Sequence, residues 1–119
     1  MKPERQRIAI AEACGWISHI HHPYGILSNT GTYPVYRKKG FADIIKLPDF
    51  LNDLNAMHEA EKTLTDELTA NYVIELMEVL QLPHAMRKLT RSYYLTATAT
   101  AAQRAEAFLR AIGKWEESP

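Results

Sequence analysis

The clearest hydrophobic pattern lies near the end of the chain. Ala105, Phe108, Leu109 and Ile112 recur at i, i+3, i+4 and i+7, which is one face of a helix. Thr100 and Gln103 stand at the spacing of a capping box, in which each side chain satisfies a free backbone N–H at the helix start. Gly113 follows the last periodic residue, where glycine enters the left-handed region at low steric cost. The chain opens similarly. Pro3 suits a first helical turn, Ile8, Ala11 and Cys14 share a face with Ile10 at its edge, and Gly15 is the stop. Arg7 falls within that face and is expected to reach water at the helix end or to enter a buried pair. In the middle, Asn52 or Asp53 caps a helix running to about Leu64, with Leu54, Met57, Ala60 and Leu64 as its buried stripe. Glu61 lies within that stripe, and a partly buried carboxylate needs a cation. Arg7 is one candidate for it. Thr65 caps a third helix with Asp66 and Glu67 in its first turn, where the helix dipole favours anions. Leu68, Tyr72, Val73, Leu76, Met77 and Leu80 form its apolar face, and Pro83 ends it.

Residues 17–48 break the helical period. β-branched and aromatic residues alternate there with turn formers. The pattern predicts a strand at about Ile17–Ile20 and one or two more between Tyr24 and Arg37. Ser28-Asn29-Thr30-Gly31 is a turn between them, and Pro34 marks an edge strand. Lys38-Lys39-Gly40 closes the last. Tyr93-Tyr94-Leu95-Thr96 reads as a further strand feeding the final helix. The fold class expected is α+β: a small antiparallel or mixed sheet sandwiched between helix layers, with about four helices in one domain, residues 1–119.

Composition narrows the function. A hydrophobic share of 46% and a charged share of 24% are ordinary for a globular domain, so a core needs no disulfide or metal. The single cysteine, Cys14, allows no internal disulfide and fits a reducing compartment. No apolar run is long enough to span a membrane, and Met1–Arg7 lacks the apolar segment of a signal peptide. Zero net charge argues against general DNA or RNA binding. The charge is unevenly placed, however. Residues 1–48 carry seven Lys/Arg against three acids, 49–78 carry one against eight, and 79–119 carry six against three. If the ends meet, a basic side stands opposite an acidic helix pair, and an anionic ligand belongs on the basic side. His19, His21 and His22 are close together, but no CxxC, HExxH or acidic third ligand accompanies them, so no metal is assigned.

Four segments, Glu12–Trp16, Leu47–Phe50, Asn52–Glu61 and Ala99–Glu116, together resemble the phage ABA sandwich domain family, small proteins encoded by tailed bacteriophages and prophages. The resemblance implies a sheet between two helix layers, which agrees with the pattern above. It carries over no catalytic residues, because the matching positions are mostly helical stripes and Gly/Trp stops.

No nucleophile elbow, phosphate-binding loop, dinucleotide fingerprint or zinc motif is present. Cys14, on an apolar helical face, is expected to be inert, so no enzyme activity and no cofactor are assigned. The expected function is a phage accessory, anti-defence protein in the host cell cytoplasm that sequesters a small anionic immune nucleotide by binding alone. Bases need aromatic platforms and phosphates need cations. The candidate ligand-binding residues are therefore Tyr36, Arg37, Lys38, Arg87, Arg91, Tyr93, Tyr94 and Arg104. Arg104 stands out because it borders the apolar stripe with no acid at i±4, whereas Arg110 has Glu106 at that spacing. Tight binding at nanomolar Kd needs about −12 kcal/mol, so a homo-oligomer closing the pocket is expected. The alternative is an inhibitor or regulator that binds a host protein through the acidic helix pair, residues 53–80.

Overall fold

Local caps set the helix boundaries. In the computed structural model, which describes residues 1–18, 36–38 and 47–117 (backbone alone for 17–18 and 36–38), five α-helices form among the described residues. Helix α1, Pro3–Ala13, starts on its proline and ends at Gly15, whose φ is 91°. Helix α2, Leu54–Glu61, is capped by Asp53, whose side chain accepts from the Asn55 and Ala56 N–H groups. Helix α3, Asp66–Val79, is capped by the Thr65 hydroxyl, which accepts from the Leu68 N–H. After a 3-10 turn at His84–Met86 comes helix α4, Thr90–Ala97. Helix α5, Ala101–Ala111, has both halves of the Thr100/Gln103 capping box.

The end of α5 is a double-bonded stop. Lys114 N–H donates to Leu109 O at 2.8 Å and Gly113 N–H to Arg110 O at 3.2 Å, with Gly113 at φ 75°. This pattern needs a left-handed residue. A Cβ built on Gly113 meets nothing within 4 Å, so the obstacle to another side chain is the backbone angle alone. Gly113→Val should therefore destabilise by about 1–2 kcal/mol, read as a lower urea midpoint at unchanged slope.

The expected α+β sandwich is not what forms. Helices pack directly on helices. Helix α5 lies most extensively against α3 and also against α1 and α2. Among the described residues, strand pairing is confined to three-residue strands β1, Trp16–Ser18, and β2, Tyr36–Lys38. They are antiparallel with Trp16 opposite Lys38, Ile17 opposite Arg37 and Ser18 opposite Tyr36. A ladder this short cannot form the middle layer of a sandwich. The fold implied by the phage family resemblance is corrected with it. The rest of the strand expected at Ile17–Ile20, the region between Tyr24 and Arg37 as far as residue 35, the 28–31 turn and Pro34 lie outside the described residues, as does the turn at 39–40.

The strand expected at Tyr93–Thr96 is instead the body of α4. β-propensity is a weak local preference that packing overrides. Here the buried Ser92 hydroxyl donates to Met86 O and ties the helix to the preceding turn, while Arg104 holds its far end from α5. Smaller corrections follow from the same packing. In α1, Ile10 rather than Ile8 sits at the centre of the buried face with Ala11. In α2, Met57 and Ala60 are buried, but Leu54 is exposed and the helix stops before Leu64. The core cluster includes Ile10, Phe50, Met57, Ala60, Tyr72, Leu76, Phe108 and Leu109.

Candidate functional site

Arg104 faces inward from α5 and is only 8% exposed. Its Nε donates to Ala99 O at 3.1 Å, and its NH2 group to Thr96 O at 3.0 Å and Ala97 O at 2.9 Å. Its NH1 donates to Glu61 Oε2 at 3.3 Å. All but one of the guanidinium N–H groups are thus engaged. The carbonyls at the end of a helix have no partners within it. Arg104 supplies them for α4, and at the same time neutralises the carboxylate at the end of α2.

Glu61 therefore does have a cation, Arg104 and not the candidate Arg7. Arg7 bonds Asp49 at 3.1 Å and Glu4 at 3.0 Å, on a part-exposed surface. Hydrogen bonding from Asn52, and then from Arg7, holds the Asp49 carboxyl below its ordinary range.

Beside the Glu61–Arg104 pair stands Tyr72 of α3, 5% exposed. Its hydroxyl lies beside both charged side chains, within hydrogen-bonding reach of Arg104 and Glu61. Burial raises the phenol above its ordinary pKa. The Glu61 carboxylate adds to that, and Arg104 opposes it. Glu61 Oε1 is likewise buried without a partner among the described residues. Both atoms belong to residues bordering a cleft of about 320 Å³. Leu64, Val73, Leu76 and Ala97 give it apolar walls, and Thr69 and Thr96 complete it. The threonine hydroxyls are committed to their own helices, Thr69 donating to Thr65 O at 2.8 Å and Thr96 to Tyr93 O at 2.8 Å.

A buried polar group left unpaired costs about 1–3 kcal/mol. Both atoms are shielded from solvent inside the Glu61–Tyr72–Arg104 cluster, whose residues form part of the wall of the apolar-lined cleft. A larger cleft, about 490 Å³, lies along α1 and the C-terminal segment, but its charged residues include the surface pair Arg5–Glu116, and among the described residues no unpartnered buried polar atom belongs to its lining.

The residues expected to hold a ligand are placed unevenly. Arg104 is structural, as described. Arg87 is also committed, donating to Leu82 O at 3.0 Å and to Glu78 at 2.8 Å, which holds the Glu78 carboxyl below its ordinary range. Arg91, Tyr93 and Tyr94 lie on α4 facing solvent, the tyrosines 58% and 63% exposed. Tyr36, Arg37 and Lys38 form β2, and their side chains lie outside the described residues, as do His19, His21 and His22. Among the described residues no three His, Cys, Asp or Glu are grouped to hold a metal ion. Cys14 Sγ lies 3.7 Å from Thr63 Oγ1, and no cleft described here includes it. In the acidic helix pair, Glu59 pairs with Lys62, Glu61 with Arg104, and Glu78 with Arg87. No helix among the described residues is long and apolar enough to cross a membrane.

Tyr72 and Glu61 are the residues that sequence reasoning left out of the site. Both were legible in part. A tyrosine in an apolar stripe carries a hydroxyl that wants a partner, and Glu61 stood out as a carboxylate in the wrong place. Comparison with known proteins adds no further guide: no protein-family model, curated protein or solved structure matches this chain.

Proposed function

We propose that this chain is a binding protein that takes a small ligand into the Tyr72 cleft and holds it without covalent chemistry. The observation that carries this reading is the cleft itself, about 320 Å³, in which the polar residues Glu61, Tyr72 and Arg104 border apolar walls. The cleft's hydroxyl side chains support binding over catalysis. Those of Thr69 and Thr96 are tied to helix carbonyls, and a phenol held above its ordinary pKa is a poor nucleophile.

Sequestration of an anionic nucleotide in the cytoplasm of an infected host is a second reading, with the ligand on the outer face of α4. Its support is narrower: Arg91, Tyr93 and Tyr94 are exposed on α4, the helix that also gives Thr96 and Ala97 to the cleft. The two readings place the ligand differently, so one experiment separates them. A fragment of about ten non-hydrogen atoms at a few tenths of a kcal/mol each binds with a Kd on the order of millimolar. Amide NMR spectra at that concentration are the suitable measurement. Titration with phenol-sized aromatic fragments should shift the amides of Thr69, Tyr72, Val73 and Ala97. A cyclic dinucleotide that shifts Arg91 and Tyr94 while leaving Tyr72 unmoved would place binding on the outer face of α4 and overturn the cleft as the site.

A further inference from the structure

We infer that α4 and the outer side of α3 form the surface on which a second copy of this chain docks, as a two-fold dimer whose axis runs along the cleft between the two helices. The inference concerns the rim of the cleft and does not depend on a ligand entering it.

Helix α4 lacks a cover. It has eight residues, and a helix that short does not hold in water by itself. Ser92 is its one buried residue, and no other element among the described residues packs extensively against it. It nevertheless presents Tyr93 and Tyr94 to solvent, with Met86 and Leu89 exposed just before it. A monomer seldom leaves a cluster of large apolar side chains bare unless something binds there.

The charges indicate what binds. No Asp or Glu occurs from Val79 to Ala105. Neither Lys88 nor Arg91 enters an ion pair among the described residues. Across the cleft the sign reverses. Asp66 and Glu67, in the first turn of α3, are exposed and likewise outside any ion pair among the described residues. Val73 and Ile74 are exposed on the same helix. On α4, Leu89, Tyr93 and Ala97 are spaced by four and form the stripe beside the cleft, since Ala97 lines it. Arg91 and Tyr94 lie farther round. On α3, Val73 lines the cleft, and Glu67, Ala70 and Ile74 make the next stripe outward at i, i+3 and i+7. From the outer side of α4 to the outer side of α3, the surface therefore runs basic, apolar, apolar, acidic.

A two-fold axis along the cleft reverses that order. The cationic edge of each copy meets the acidic edge of the other, and apolar stripe meets apolar stripe. That is the self-complementarity of an isologous interface, with each contact made twice. An axis across the cleft would instead set cation on cation and acid on acid. An acidic peptide or an anionic lipid surface suits α4 but is repelled by Asp66 and Glu67 beside it. A second copy uses both halves.

Sedimentation of the full chain from about 1 µM to about 1 mM spans the affinities that an interface of modest size gives. The mass should rise to twice that of one chain within that range. Arg91→Glu and Glu67→Arg should each weaken the dimer at least about tenfold, because each sets like charges together at both symmetric contacts. An equal mixture of the two variants should restore it, since every such contact in the mixed dimer is again of opposite sign. Tyr93→Ser, which removes an apolar contact and no charge, should also weaken the dimer, and it is the second variant if either reversal unfolds the chain. A mass that stays that of one chain at every concentration, or a dimer that both reversals leave unchanged, overturns the inference. So does a mixture that stays as weak as the single variants. Binding of anionic vesicles or of an acidic peptide by a chain that stays monomeric overturns it too, and gives this face a different partner. Fragment binding at Tyr72 is read by a separate measurement, so either reading can fail alone.

Discussion

Replacing Arg104 with alanine should destabilise the protein by about 3–5 kcal/mol, the expected cost of removing one partner from a buried ion pair. That is a large fraction of the 5–15 kcal/mol or so that a domain of this size has in total. Two separate losses contribute. Glu61, whose side chain is 20% exposed, is left without its cation. The carbonyls of Thr96, Ala97 and Ala99 lose the donor that ends helix α4. A double variant tells the two apart. If the ion pair dominates, Arg104→Met combined with Glu61→Gln should recover most of the loss, because no charge is then stranded. If the carbonyls dominate, the double variant should stay nearly as unstable as the single one, since methionine donates no hydrogen bond. The geometry favours the second outcome, with three bonds to carbonyls against one longer contact to the carboxylate. Urea unfolding of the three variants measures it. An Arg104→Ala protein within about 1 kcal/mol of the parent would mean that the guanidinium is not the tie described here.

The same residue shows how far the sequence could be read. The helix starts at Asp53, Thr65 and Thr100 and the stops at Gly15 and Gly113 were all legible, because each is a bond between residues only a few positions apart. Such signals need no knowledge of the fold. Helix α4 was not legible. Tyr93-Tyr94-Leu95-Thr96 has the composition of a strand, and what makes it a helix is an arginine seven and eight residues beyond the carbonyls it binds, on a different element. The sheet expectation grew from the same composition rule, applied also to residues 17–48. Glu61 was recognised as a carboxylate in need of a cation, and Arg104 as a cation at the edge of an apolar stripe with no acid nearby. The two observations describe one ion pair spanning 43 residues. Periodicity places each of them on a face but cannot say which faces meet. Tyr72 shows the same limit from the other side. Its ring fitted the stripe, so its hydroxyl passed unnoticed.

Phe108→Ala should be the most damaging change within the apolar core, costing about 3–5 kcal/mol. Phe108 is the largest of the fully buried side chains among the described residues and lies on α5, the helix that packs against α1, α2 and α3. Truncation leaves a cavity in the core cluster that holds Ile10, Met57, Tyr72 and Leu76 as well. The comparison that gives the number meaning is Leu54→Ala. Leu54 was expected in the same kind of stripe but is exposed on α2, and its loss should cost well under 1 kcal/mol. A direct helix-on-helix core requires this contrast. In a sandwich, a sheet would separate α5 from the helices on its other side, and each helix would bury one stripe of comparable weight. Urea midpoints for the two variants, at equal slopes, are the measurement. Similar losses at Leu54 and Phe108 would show that the stripe of α2 faces inward after all, and that α5 is not the element on which the other helices converge.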